Sequence, residues 1–260
     1  MQKEEKGGIL SSYMLPDRRL TARTEMRSSM GDFQSWVNQL NYDQLIEMVI
    51  TVLAAVICIT LHEVSHGYAA YRLGDPTAKN AGRLTLNPLR HIDPLGLLVM
   101  AIAHFGWARA VPIQPGNFKH FRRDTALTAL AGPAANVGIT MLALMLHNTL
   151  LSLGAFWELP QGLAYLDLFF QYVAILSANL AVFNLLPIPP LDGSKVLYVI
   201  LPRGICEKLL RYERFGFFLL AVLLWTGVLD APLNFLRSGL IRLLWPICNW
   251  PVELLLHLFH

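Results

Sequence analysis

The stretch AAVICITLHEVSHGYAAYRLGD, residues 54–75, decides how this chain is read. It opens like the apolar interior of a membrane-spanning helix and then, with no glycine or proline between, brings in His62, Glu63 and His66. On a helix, positions i and i+4 share a face, so both imidazoles point the same way with the Glu63 carboxylate beside them. Lone helix histidines are packing residues as a rule. Three ionisable groups next to an apolar run are different, because charge at membrane depth is expensive and marks a working site.

Composition supports the membrane setting. Of 260 residues, 54% are hydrophobic and only 15% charged, against roughly 25% charged in a typical soluble domain. The apolar residues fall in long blocks, and neither 125–153 nor 168–191 contains Asp, Glu, Lys or Arg. A hydrocarbon core about 30 Å thick takes roughly 20 helical residues to cross. Helices are therefore expected over about 45–71, 125–153 and 166–187, the first only if it runs on through the His-Glu-His stretch. Residues 215–229 fit a tilted or marginal span. Residues 238–260, with Pro246 and Pro251, fit either a span or an in-plane helix. A soluble protein with greasy core helices is disfavoured by these block lengths.

Basic residues are placed unevenly. The connection 72–123 holds eight Lys and Arg and 187–214 holds five, while 154–167 holds none. The positive-inside bias puts the two basic connections in the cytosol. The basic N-terminal stretch runs against this orientation, but 28–46 has no Lys or Arg, and charges far from a span count little. Residues 1–44 lack the apolar core of a signal peptide and read as a flexible tail. Cys58, Cys206 and Cys248 are odd in number and have no C-x-x-C spacing, so neither a disulfide framework nor a thiolate metal cage is expected.

The chemistry of H-E-x-x-H follows from its parts. Two neutral imidazoles and a third ligand hold Zn²⁺ and leave one position open. The metal lowers the pKa of a water toward about 7, and a neighbouring carboxylate takes its proton and later passes it to the leaving amine. For the third ligand the chain offers Asp192, in NLAVFNLLPIPPLDGSKVL. Pro187, Pro189 and Pro190 interrupt the helix there, and irregular backbone at membrane depth has to be buried in protein or line a cavity. Gly193 permits a tight turn that aims the carboxylate inward. By the same residues, Asp192 equally well caps a following helix over 195–201.

His62-Glu63-Val64-Ser65-His66, followed some 120 residues later by Asn184-Leu-Leu-Pro-Ile-Pro-Pro-Leu-Asp192-Gly193, resembles the site-2 protease family of intramembrane zinc metalloproteases. AGRLTLNPLRHIDPLG, GWARAVPIQPGNF and LAGPAAN, between the two motifs, extend the resemblance over about 45–201. It is closest to the compact bacterial branch without PDZ or CBS domains. The resemblance implies an all-α polytopic membrane protein with a three-helix catalytic core, one Zn²⁺ per chain, and Asp192 as third ligand beside His62 and His66. It implies Glu63 as the catalytic acid-base, and an active site nearer the cytosolic face, in a bacterial cytoplasmic membrane.

Asn184 is expected either to bind the substrate backbone or developing oxyanion or to make an interhelical hydrogen bond. Asn136, in the small-residue run AGPAAN, is expected to be structural, bonding across to the catalytic helix. The other histidines have no ligand spacing. In the connection 76–123, residues 94–105 are expected to dip into the membrane, while GRLTLNP and ARAVPIQP alternate like strands of a small β element. That element is expected to offer an edge to an unwound substrate, with 202–260 forming further membrane helices and a gate. The expected partners are a transmembrane protein substrate and the lipid bilayer, with no nucleic acid. The competing readings are a catalytically silent scaffold and a metal or proton transporter; the first leaves Glu63 unexplained, and the second calls for ionisable groups spread over several spans.

Overall fold

The computed structural model describes residues 42–93, 96, 108–156 and 160–259. Two compact units divide the chain at residue 48; of the first, only 42–48 are described, and the architecture below is that of the second. The predicted tail over 1–41 and most of the predicted dipping segment 94–105 lie outside the described residues.

Helix α1 covers Tyr42–Arg72. It ends where Gly74 turns left-handed at φ 107° and the Asp75 amide donates back to the Ala70 carbonyl at 2.9 Å, a closure that favours glycine. A short helix α2 (Thr77–Asn80) follows. Long helices α3 (Phe121–Phe156) and α4 (Gln161–Asn184) come next. A cis Pro189–Pro190 bond then leads to α5 (Asp192–Val196), continued by a 3₁₀ turn, Leu197–Val199. Helices α6 (Arg203–Trp225), α7 (Asp230–Cys248) and α8 (Trp250–Phe259) complete the chain.

Three of these helices, α1, α3 and α4, are long and apolar enough to cross a membrane. The chain is an all-α polytopic membrane protein. A fourth crossing is available only if Phe215–Trp225 and Asp230–Leu254, bent 88° at their junction, act as one broken span. Gly227, at φ 69°, supplies the left-handed residue at that bend. The marginal span expected at 215–229 is thus half of a bent pair.

Small side chains let the long helices approach closely. Ala54 and Cys58 of α1, Ala143 of α3, Ala174 of α4 and Cys248 of α7 are buried in one cluster. A second cluster joins Leu191, just before α5, to Leu220 of α6 and Leu229. Gly216 of α6 sits where a Cβ would stand 2.3 Å from the Pro189 carbonyl oxygen, so α6 rests directly on the proline-rich loop. α1 and α4 both run antiparallel to α3, since His66 meets Thr128 while His62 meets Asn136, and Ser177 meets Asn136 while His147 meets Asp167. The C-terminal ends of α1 and α4 and the start of α3 therefore gather at one end of the bundle.

The small β element expected from GRLTLNP and ARAVPIQP does not form: no strand is present among the described residues. Scattered contacts, not a ladder, take the backbone groups of the second segment. The Arg109 amide donates to the His91 carbonyl at 2.9 Å, the Arg109 carbonyl accepts from Arg83, and the Gln114 amide donates to Asp75 at 2.7 Å. Pro112 and Pro115 have no amide proton to give.

Asp75 is fully buried and accepts four hydrogen bonds, from the Thr77 amide and hydroxyl, the Asn117 side chain and the Gln114 amide. Burial works against its charge, but these bonds outweigh it and hold the carboxyl below its ordinary value of 3.8. A lowered folded value means that the Asp75 carboxylate stabilises the loop fully above the ordinary value and loses that contribution as pH falls through the lower one. Asp75→Asn is expected to loosen the 108–117 segment by about 2–3 kcal/mol. Faster amide exchange confined to that segment at neutral pH, with the difference from wild type shrinking below pH 4, is the measurement that checks it.

Candidate metal centre

The bundle end gathers three of the residues singled out in the sequence. His62 Nε2 and His66 Nε2 lie 3.3 and 3.0 Å from Asp192 Oδ2, and 3.0 Å from each other. His62 and His66 are each 6% exposed and Asp192 9%. Metal–ligand bonds of about 2.0–2.1 Å in a tetrahedral arrangement set neighbouring donor atoms roughly 3.3 Å apart, so the spacing suits one Zn²⁺ without rearrangement. Among the described residues this is the one group of three His, Cys, Asp or Glu side chains able to hold a metal ion.

The surroundings of the two imidazoles agree with that use. His66 Nδ1 donates to the Thr128 carbonyl at 2.7 Å, which fixes the tautomer that leaves Nε2 free for a metal. His62 Nδ1 faces the Asn136 amide at 3.1 Å, and the amide oxygen Oδ1 is buried with no partner. A metal at Nε2 keeps the proton on Nδ1, and turning the amide over gives the orphaned oxygen that proton. Asn136 is fully buried, with its own carbonyl accepting from Thr140 and Ser177.

Helix α3 makes room as well as contacts. A Cβ at Gly132 would stand 2.3 Å from His66 Nε2 and 2.6 Å from His62 Cε1, so only glycine leaves the ligand face clear. Near the start of α3, Arg122 donates to the carbonyls of Tyr198, Val199 and Leu201. These close the turn at the far end of the segment that Asp192 begins. Gly193 holds the near end, where a Cβ would meet the Leu185 carbonyl oxygen at 2.3 Å. Asp192 is thus the first residue of α5, pinned on both sides. Arg122, Thr128 and Gly132 escaped the sequence reading; only Gly132 left a signal, as part of the small-residue run.

Glu63 stands on α1 beside the two histidines and accepts the Val111 amide proton at 2.9 Å through Oε2. A cavity of about 510 Å³ opens onto Glu63 and the three ligands, and its wall includes Val111, Ile113, Phe118, Asn184 and Lys195. Asn184 lines this cavity while its Nδ2 donates to the Leu180 carbonyl of its own helix at 3.0 Å. Among the described residues it makes no interhelical hydrogen bond. The Val111 amide, expected on a free edge, is already engaged by Glu63, so proline at Val111 would disturb the carboxylate as well as the segment. His147 and His91 lie away from the centre, bonded to Asp167 and to the Thr85 carbonyl.

Two variants test this construction. Gly132→Ala is expected to lose bound zinc and, because its Cβ would overlap both imidazoles, to lower stability by about 1–3 kcal/mol despite the better helix propensity of alanine; full zinc with unchanged stability would refute the close fit. Arg122→Ala is expected to lower zinc affinity about 10- to 100-fold with Arg122→Lys recovering part of it, both read by competition with a chromophoric chelator.

Comparison with known proteins agrees with this geometry. The model of Peptidase family M50 matches residues 118–224. The Bacillus subtilis (strain 168) protein named "Putative zinc metalloprotease YwhC" is 38% identical over 223 residues, covering 84% of this chain and 94% of the relative. "Putative zinc metalloprotease Rip2" of Mycolicibacterium smegmatis (strain ATCC 700084 / mc(2)155) is 33% identical over 191 residues, covering 70% of this chain and 69% of the relative. No solved structure matches the chain. With ligands, carboxylate and ancestry in agreement, the chain belongs to Peptidase family M50, the site-2 protease family of zinc metalloproteases.

Proposed function

We propose that this protein cleaves a peptide bond within or near the transmembrane segment of a membrane-protein substrate, as a regulated intramembrane protease of a bacterial cytoplasmic membrane. One observation carries the reading. His62 lies ten residues before the end of α1 at Arg72, so the centre sits about 15 Å down a helix that is itself long enough to span a bilayer. Chemistry at that depth suits a substrate delivered through the membrane. The excess of basic residues in 72–123 and 187–214 supports placing this end of the bundle toward the cytosol.

His62, His66 and Asp192 would hold Zn²⁺, which when bound supplies Lewis-acid polarisation of a carbonyl and a water of lowered pKa. The chain's own residues do the rest. His66 and His62 keep their protons on Nδ1, held by Thr128 and Asn136. Glu63, anchored at Oε2 by the Val111 amide, takes a proton at Oε1 and returns it to the leaving amine. A helical peptide bond is shielded by its own turn, so the substrate has to unwind before it reaches Glu63. The extended segment Ala110–Ile113, along the cavity wall, lies beside the path of that unwound stretch. Helix α6, which rests on the proline loop at Gly216, would serve as its gate together with α7.

Glu63→Gln is expected to lower cleavage of a quenched-fluorescent transmembrane peptide in proteoliposomes by a hundred-fold or more while leaving zinc content unchanged. Equal cleavage by the variant removes Glu63 from the mechanism. A wild-type protein that cleaves only soluble peptides removes the intramembrane substrate.

A further inference from the structure

The two oxygens of Asp192 have different partners. Oδ2 is the atom turned toward both histidine Nε2 atoms, at 3.3 and 3.0 Å. Oδ1 is turned away from them, toward Lys195 Nζ at 3.8 Å. Lys195 stands three residues on along α5, on the same helical face as Asp192. Among the described residues it is the only Lys or Arg that lines the cavity around the centre, and its side chain is 35% exposed.

A carboxylate can ligate a metal through one oxygen or through both. Two-oxygen ligation beside a bound water would raise the metal from four ligands to five and crowd the side where a substrate carbonyl has to arrive. Nothing in the backbone prevents it, because Gly193 and Arg122 fix where α5 begins and ends but leave the Asp192 side-chain torsion free. The attraction of a cation for Oδ1 does act on that torsion. Charge points the same way. Zn²⁺ against the Asp192 and Glu63 carboxylates sums to zero, so Lys195 leaves the cavity one unit positive where a peptide carbonyl has to arrive.

We propose that Lys195 is a positioning residue that holds Asp192 to one-oxygen ligation and so keeps the metal at four ligands, with room for the arriving carbonyl. The proposal rests on the zinc-metalloprotease reading of the site. It places Lys195 in contact with the ligand, not with the substrate.

The test uses the full chain in detergent, with Co²⁺ in place of zinc, because visible absorption by Co²⁺ is strong when it is four-coordinate and weakens as the coordination number rises. Wild type, Lys195→Arg and Lys195→Met are compared at saturating Co²⁺. Wild type and Lys195→Arg are expected to show the strong four-coordinate spectrum. Lys195→Met is expected to bind one Co²⁺ with a weakened spectrum, and its zinc form to cleave about 10- to 100-fold more slowly, the loss falling on kcat rather than KM. An unchanged spectrum in Lys195→Met overturns the proposal even if activity falls, since Lys195 then acts elsewhere. Wild-type protein that takes up no Co²⁺ overturns the metal reading itself, a distinct result. Should Lys195→Met not purify as a single species, Lys195→Gln, which keeps a polar tip without the charge, is read by the same criteria.

Discussion

The metal centre depends on what one helix, α3, holds still. Its Thr128 carbonyl orients His66, its Asn136 amide orients His62, and its Arg122 side chain closes the turn at the end of the segment that Asp192 begins. Between these contacts Gly132 keeps the ligand face free of side chain. A ligand set drawn from two separate stretches of chain is assembled only as well as its common support is rigid, because ligands misplaced by an ångström forfeit much of the binding energy. The buried small-residue cluster that packs α1, α3, α4 and α7 supplies that rigidity.

Membrane depth explains why the support is so polar at this one level. In hydrocarbon an unpartnered amide or imidazole costs several kcal/mol, so each polar group brought to the centre requires another to satisfy it. The chain His62, Asn136, Ser177 and Thr140 meets that requirement through three helices. The buried oxygen beside His62 that has no partner, Asn136 Oδ1, is what the Nδ1 proton of a metal-bound His62 needs. That orphaned oxygen therefore fits a metal at His62 Nε2.

The connection between α1 and α3 does something different. It is held to itself by the side chains of Asp75 and Arg83 and tied to the bundle by Glu63 of α1. Glu63 is accordingly both a chemical group and a structural one, since the backbone it anchors is also the wall of the cavity. The expected β element fails for a related reason: alternation in ARAVPIQP was real, but Arg83, Glu63, Asp75 and the His91 carbonyl take its backbone groups one by one.

Local pattern in the sequence determined the class of protein, its three spanning helices and the identity of His62, Glu63 and His66, because helical spacing and apolar block length are properties of neighbouring residues. It proposed Asp192 without deciding between ligand and helix cap, since both roles need the same residue after the same prolines. Only the tertiary structure decided that Asp192 Oδ2 faces both imidazoles, that Asn184 bonds back to its own helix, that Arg122, Thr128 and Gly132 pack around the centre, and that Lys195 lies beside Asp192 Oδ1. The physical reason is that most of these depend on contacts between residues about 60 to 130 positions apart, and the rest, at Asn184 and Lys195, on which way a side chain turns. No periodicity records either.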